Sequence, residues 1–164
     1  MHTRILSIIA LLLFFAGYVS AQDMLQEQDI VLVTSAESSF FSVDVEGEIS
    51  LAISPLSSLE IRKLFLGLPV TRQNALMEPM VYEPNDHMGE IFLKAIVGMT
   101  ARAYNRKMLQ ARLSAGGALV PVYEDIQTLI DGFERSSNTV SFVTYKEAME
   151  HDLRVVQVLW LDRN

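Results

Sequence analysis

Pro55-Leu-Ser-Ser-Leu-Glu-Ile-Arg-Lys-Leu-Phe-Leu-Gly67 is the stretch around which the chain reads most clearly. Ser57 and Glu60 stand three apart, the spacing of a capping box. The serine hydroxyl accepts from the Glu60 N–H, and the Glu60 carboxylate reaches back to the Ser57 N–H. Ile61, Leu64 and Phe65, with Leu68 at the margin, recur on one face, and Arg62 and Lys63 take the other. Gly67 is free to adopt the left-handed conformation that ends a helix, and Pro69 forbids its continuation. The pattern predicts a short helix with both ends marked.

Upstream, Asp29-Ile-Val-Leu-Val-Thr34 is an apolar, β-branched run of strand length, as expected of a strand buried on both faces. Residues 40–45 and 48–53 flank Glu46-Gly47 and read as a hairpin or as one continued strand. Downstream, residues 68–79 carry two prolines and read as a loop, followed by a short strand at Met80-Val81-Tyr82. Two helices come next. Residues 86–97 place Ile91, Phe92, Ala95 and Ile96 inward and end at Gly98. Residues 101–115 are capped by Thr100, with Tyr104, Met108, Ala111 and Leu113 inward, and stop at Gly116-Gly117. The outer face of the second carries Arg102, Arg106, Lys107 and Arg112.

Residues 119–122 contain Pro121 and read as a connection or edge segment. A third amphipathic helix spans 124–135, with Ile126, Leu129, Ile130 and Phe133 inward. A strand at 139–144, a short helix at 145–151 and a strand at 153–161 complete the chain. Strands interleaved with helices predict an α/β layer architecture: one compact lobe, a mixed sheet flanked by helices.

The first 21 of the 164 residues read as a signal peptide. His2 and Arg4 precede an apolar run over 5–17, and Val19-Ser20-Ala21 offers small residues at −3 and −1 of a cleavage site. The run falls short of the about 20 residues a transmembrane helix needs. The mature domain, residues 22–164, would hold 143 residues and could bury about two-thirds of its unfolded surface. The absence of cysteine removes disulfides, thiolate metal sites and a lipoprotein anchor, and suggests a bacterial envelope protein. The expected location is the periplasm, with membrane contact only through the signal peptide. Formal net charge is −7, and −8 once Arg4 is lost. An acidic chain without a basic cluster is expected to be a poor binder of nucleic acid or anionic lipid.

His87 and His151 are the histidines of the mature part. They stand 64 apart, without the spacing of a zinc site. No Gly-x-Ser-x-Gly elbow supplies a nucleophile to Asp86-His87. Their plainer reading is helix N-terminal chemistry, Asp86 as cap and His87 in the first turn. Gly116-Gly117 is too short for a phosphate-binding fingerprint. The expectation is a protein without enzymatic activity, metal or cofactor. The turn 83–90, Glu-Pro-Asn-Asp-His-Met-Gly-Glu, leads straight into a helix whose free N–H groups could meet an anion.

The order of these pieces resembles a known family. The segments are the strand, Ser58 to Gly67, the turn into Glu90-Ile-Phe-Leu93, Gly98-Met-Thr-Ala-Arg-Ala-Tyr104, Gly116-Gly117 with Pro121, and Thr139-Val-Ser-Phe-Val143. Together they look like the small phosphate-binding-protein-like domains related to type 2 periplasmic solute-binding proteins, over roughly residues 29–160. The resemblance implies that fold, with an oxyanion held by helix N-termini and hydroxyls. It implies ligand-binding positions at Asn85, Asp86, His87 and Gly89, with Ser57. The mature chain is short for two lobes, and the turn that is Ser/Thr-Gly-rich in phosphate binders reads Asn85-Asp86-His87-Met88-Gly89. The expected function is therefore binding: contact with another envelope protein, or weak binding of a small ligand. The alternative is capture of phosphate or another oxyanion for an ABC-type transporter.

Overall fold

The computed structural model describes residues 25–43, 49–114 and 117–163. The segment read as a signal peptide, Glu46-Gly47 and Gly116 lie outside them. The strands are β1 (Ile30–Thr34), β2 (Phe41–Val43), β3 (Ile49–Leu51), β4 (Thr71–Arg72), β5 (Ala75–Leu76), β6 (Glu78–Pro79), β7 (Val81–Tyr82), β8 (Val122–Tyr123), β9 (Thr139–Thr144) and β10 (Arg154–Trp160). The helices are α1 (Ser58–Phe65), α2 (Asp86–Ile91) running into a π-helical turn (Phe92–Ile96), α3 (Ala101–Ser114), α4 (Ile126–Phe133) and α5 (Tyr145–Glu150).

The apolar run 30–34 becomes β1, buried at every position, as a strand with cover on both faces must be. It pairs antiparallel with β10 on one side and β9 on the other, and β6 joins β9 in parallel. The segment from Glu78 to Tyr82 then changes partner. Glu78 and Met80 donate to Asn138 and Val140 beside β9, whereas Val81 and Glu83 donate to Pro121 and Tyr123, putting β7 beside β8. The result is a mixed sheet with helices on both faces. At the changeover the Met80 carbonyl accepts from the buried Ser141 hydroxyl at 3.0 Å.

Alternation along the strands sorts two cores. One face carries Ile30, Leu32, Val140 and Phe142 against Leu64 and Phe65 of α1 and Phe92 and Ile96 of the π turn. The other carries Val31, Val33 and Val143 against Leu129 and Phe133 of α4 and Ala148 of α5. In the first core Phe92 stacks on Phe142 (centroids 4.9 Å, planes 5° apart), and Phe65 and Tyr104 meet Phe92 edge-on.

Several expectations need correction. Residues 68–79 are not simply a loop: β4 and β5 form a hairpin whose central residues, Gln73 and Asn74, have φ of 49° and 62°. Two positive φ values are what a right-twisted two-residue turn requires. Pro79 is tolerated in β6 because the ladder donors are its neighbours Glu78 and Met80. The helix after residue 86 does not keep its phase. The π turn leaves Phe92, Ile96 and Val97 buried and turns Ala95 outward. Leu113, expected inward, is 79% exposed. The pair 40–45 and 48–53 resolves as a hairpin, β2 against β3, fastened by the fully buried Phe40.

The buried Asp29 ties the two ends of the described chain together. One carboxylate oxygen accepts from the Gln26 N–H at 2.8 Å and the other from the Asp162 N–H at 2.9 Å.

Candidate functional site

The turn into α2 begins at Glu83, which Pro84 holds extended. Asn85 (φ −160°, ψ 167°) is the N-cap, and its side chain accepts from the Met88 N–H at 2.9 Å. The cap is thus Asn85, not Asp86. An amide oxygen one residue earlier reaches the same orphan donor, freeing the Asp86 carboxylate for the rim. Gly89 N–H goes to the Asn85 carbonyl at 3.2 Å.

Around this turn Glu83, Asp86 and Glu124, with Asn85, Pro84 and Val122, line a hollow of about 250 Å³. Three of these six residues are acids and none is a cation, so the hollow is electrostatically unfavourable for a phosphate-like dianion. Gly89 is buried with the Glu83 carboxylate directly over it, and a Cβ placed there would overlap that oxygen. Glu83 also acts on Tyr104 of α3. Burial first, and the Glu83 charge second, push the Tyr104 phenol up to about 12, and its hydroxyl donates to the Phe65 carbonyl at 2.8 Å.

The other anticipated positions fall elsewhere. His87 is exposed. Near it, Glu90 has its carboxyl lowered mainly by the hydrogen bond from Lys94 at 2.9 Å. Ser57 caps α1: its hydroxyl donates to Glu60 at 2.8 Å, and the Glu60 N–H returns to it at 3.3 Å. Glu60 also takes Arg72 at 2.6 Å. These bonds, the Ser57 backbone first, bring the Glu60 carboxyl down to about 2. The fold therefore brings Asn85, Asp86 and Gly89 together at one helix start and commits Ser57 to a cap in another.

The larger opening was not anticipated. A cleft of about 390 Å³ lies between the Gly67-Leu68-Pro69 turn, residues 76–80 and the 118–121 connection, with Arg135 at one side. That volume is within the range of small-ligand sites. Its walls are mostly apolar, among them Leu68, Met77, Met80 and Pro121, and two large aliphatic side chains at it stand largely in water: Leu76 at 50% and Leu119 at 68% exposure. Its residues come from separate segments without shared periodicity, so the sequence offered only a local hint: apolar side chains inside stretches that read as connections.

Among the described residues no three His, Asp or Glu side chains gather as a metal-ligand set. No helix among them is long and apolar enough to cross a membrane. Comparison with protein-family models, with curated proteins and with solved structures returned no match.

Proposed function

We propose that the chain is an exported, non-enzymatic periplasmic protein with a solute-binding-protein-like α/β lobe. It acts by binding, and its principal ligand is an apolar surface of another envelope protein. The observation carrying this reading is the contrast between the two openings. The helix start where an oxyanion would be expected is ringed by Glu83, Asp86 and Glu124. The cleft at 67–80 and 118–121 instead presents exposed Leu76 and Leu119 above an apolar floor. Exposed apolar residues around a preformed concavity are a recurring mark of an interaction site.

Calorimetric titration with phosphate and with sulfate tests the reading against oxyanion capture. No heat is expected at millimolar ligand. Micromolar binding that disappears on enlarging Gly89 would establish capture instead. Photo-crosslinking from position 119 in intact cells should yield a discrete protein adduct that Leu76→Asp abolishes. Export is tested separately: amino-terminal sequencing of the periplasmic protein should begin at Gln22.

A further inference from the structure

The outer face of α3 has chemistry that neither opening uses. Helix Ala101–Ser114 contains Arg102, Arg106, Lys107 and Arg112 and no acidic residue. All four cations are exposed, and none forms an ion pair with another described residue. On a helical repeat, Arg102, Arg106, Leu109 and Leu113 fall on one narrow stripe, opposite the inward side held by Tyr104 and Ala111. Leu109 is 57% and Leu113 79% exposed. Cationic and apolar side chains thus share one outward stripe in a chain of net charge −7.

We infer that this face docks on an anionic phospholipid surface, α3 lying along the headgroups. Guanidinium groups and exposed leucines on one stripe call for a partner with phosphates above and hydrocarbon just beneath. The overall negative charge does not forbid it. At physiological ionic strength charges are screened over about 8 Å, so a surface approached by α3 meets chiefly the charge of α3. Glu83, the acid that acts on this helix, is felt by Tyr104 on the inward side. The inference is independent of what fills the apolar cleft.

The test is co-sedimentation of the mature protein with extruded vesicles of phosphatidylglycerol and phosphatidylcholine in equal parts, and with phosphatidylcholine alone. Binding is expected to the anionic vesicles only and to weaken as salt is raised. Each cation facing the surface contributes about fivefold, so Arg102→Gln/Arg106→Gln should weaken binding roughly 25-fold. Leu109→Ser/Leu113→Ser should remove whatever binding persists in high salt. These side chains are exposed, so thermal unfolding should coincide with the unsubstituted protein and separate lost docking from lost fold. The inference fails if the anionic vesicles do not bind, or if neither pair of substitutions changes binding. It also fails if poly-glutamate or a single-stranded oligonucleotide binds this face while the vesicles do not.

Discussion

The Glu83 carboxylate lies directly over Gly89, filling the space that a side chain at position 89 would take. This one contact decides how the start of α2 behaves. A glycine in a helix costs about 1 kcal/mol relative to alanine, and here it admits a carboxylate to the first turn. The exchange leaves a negatively charged opening where an empty helix start would present donors.

Two effects of Gly89→Ala oppose each other: better helix propensity and displacement of Glu83. In a Glu83→Ala background only the first remains, and Gly89→Ala should stabilise by about 1 kcal/mol. With Glu83 present the gain should shrink or reverse. Urea unfolding of the four proteins measures the coupling, and identical effects in both backgrounds would show that the contact is energetically idle.

Phe92 sits at the centre of the first core, stacked on Phe142 and met edge-on by Phe65 and Tyr104. Phe92→Ala should cost about 3–5 kcal/mol, the loss typical of a buried aromatic. Phe92→Leu, keeping most of the volume, should cost distinctly less. A loss below about 1 kcal/mol for the alanine variant in equilibrium unfolding would contradict this packing.

Ser141 donates to the Met80 carbonyl where the strand changes partner. Ser141→Ala leaves that acceptor buried without its donor and should cost about 1–3 kcal/mol. Ser141→Val should be no better despite its β propensity, because the missing donor, not the strand preference, sets the loss. Amide exchange at Val81 should accelerate in both variants.

The acid side of the stability profile carries the mark of Glu60. Its carboxyl is held at about 2, below the ordinary 4.5, by the Ser57 bonds and Arg72. A carboxylate lowered in the folded state favours folding above its unfolded value, and that contribution is lost as pH falls from about 4.5 towards 2. Glu60→Gln should flatten the unfolding midpoint across that window, and Arg72→Gln should flatten it less. Since Glu60 is near the surface, salt should diminish the Arg72 share. At neutral pH Ser57→Ala should cost about 1 kcal/mol through the cap alone.

Helix α1 was legible because its signals are local. Ser57, Glu60 and Gly67 (φ +72°) each act within a turn of their own position. Strand β1 was legible because a β-branched run flanked by polar residues has few alternatives. What escaped reading depends on partners distant in sequence. Ala95 points outward only because the π turn re-phases the helix around Phe92, whose position is fixed by Phe65 and Phe142. The hairpin at 71–76 lacks the glycine that usually announces such a turn, and the Gln73 side chain braces it by donating to the Ala52 carbonyl at 2.7 Å. At the candidate site, the Asn85-to-Gly89 turn could be located from its residues. The Glu83 overlap and the approach of Glu124 required the parallel pairing of β7 with β8.

Asp29 makes neighbours of two remote stretches, since Gln26 and Asp162 hold opposite oxygens of one carboxylate. Fusions appended near either stretch would therefore emerge from the same corner of the molecule. A short linker joining them would close the backbone into a ring.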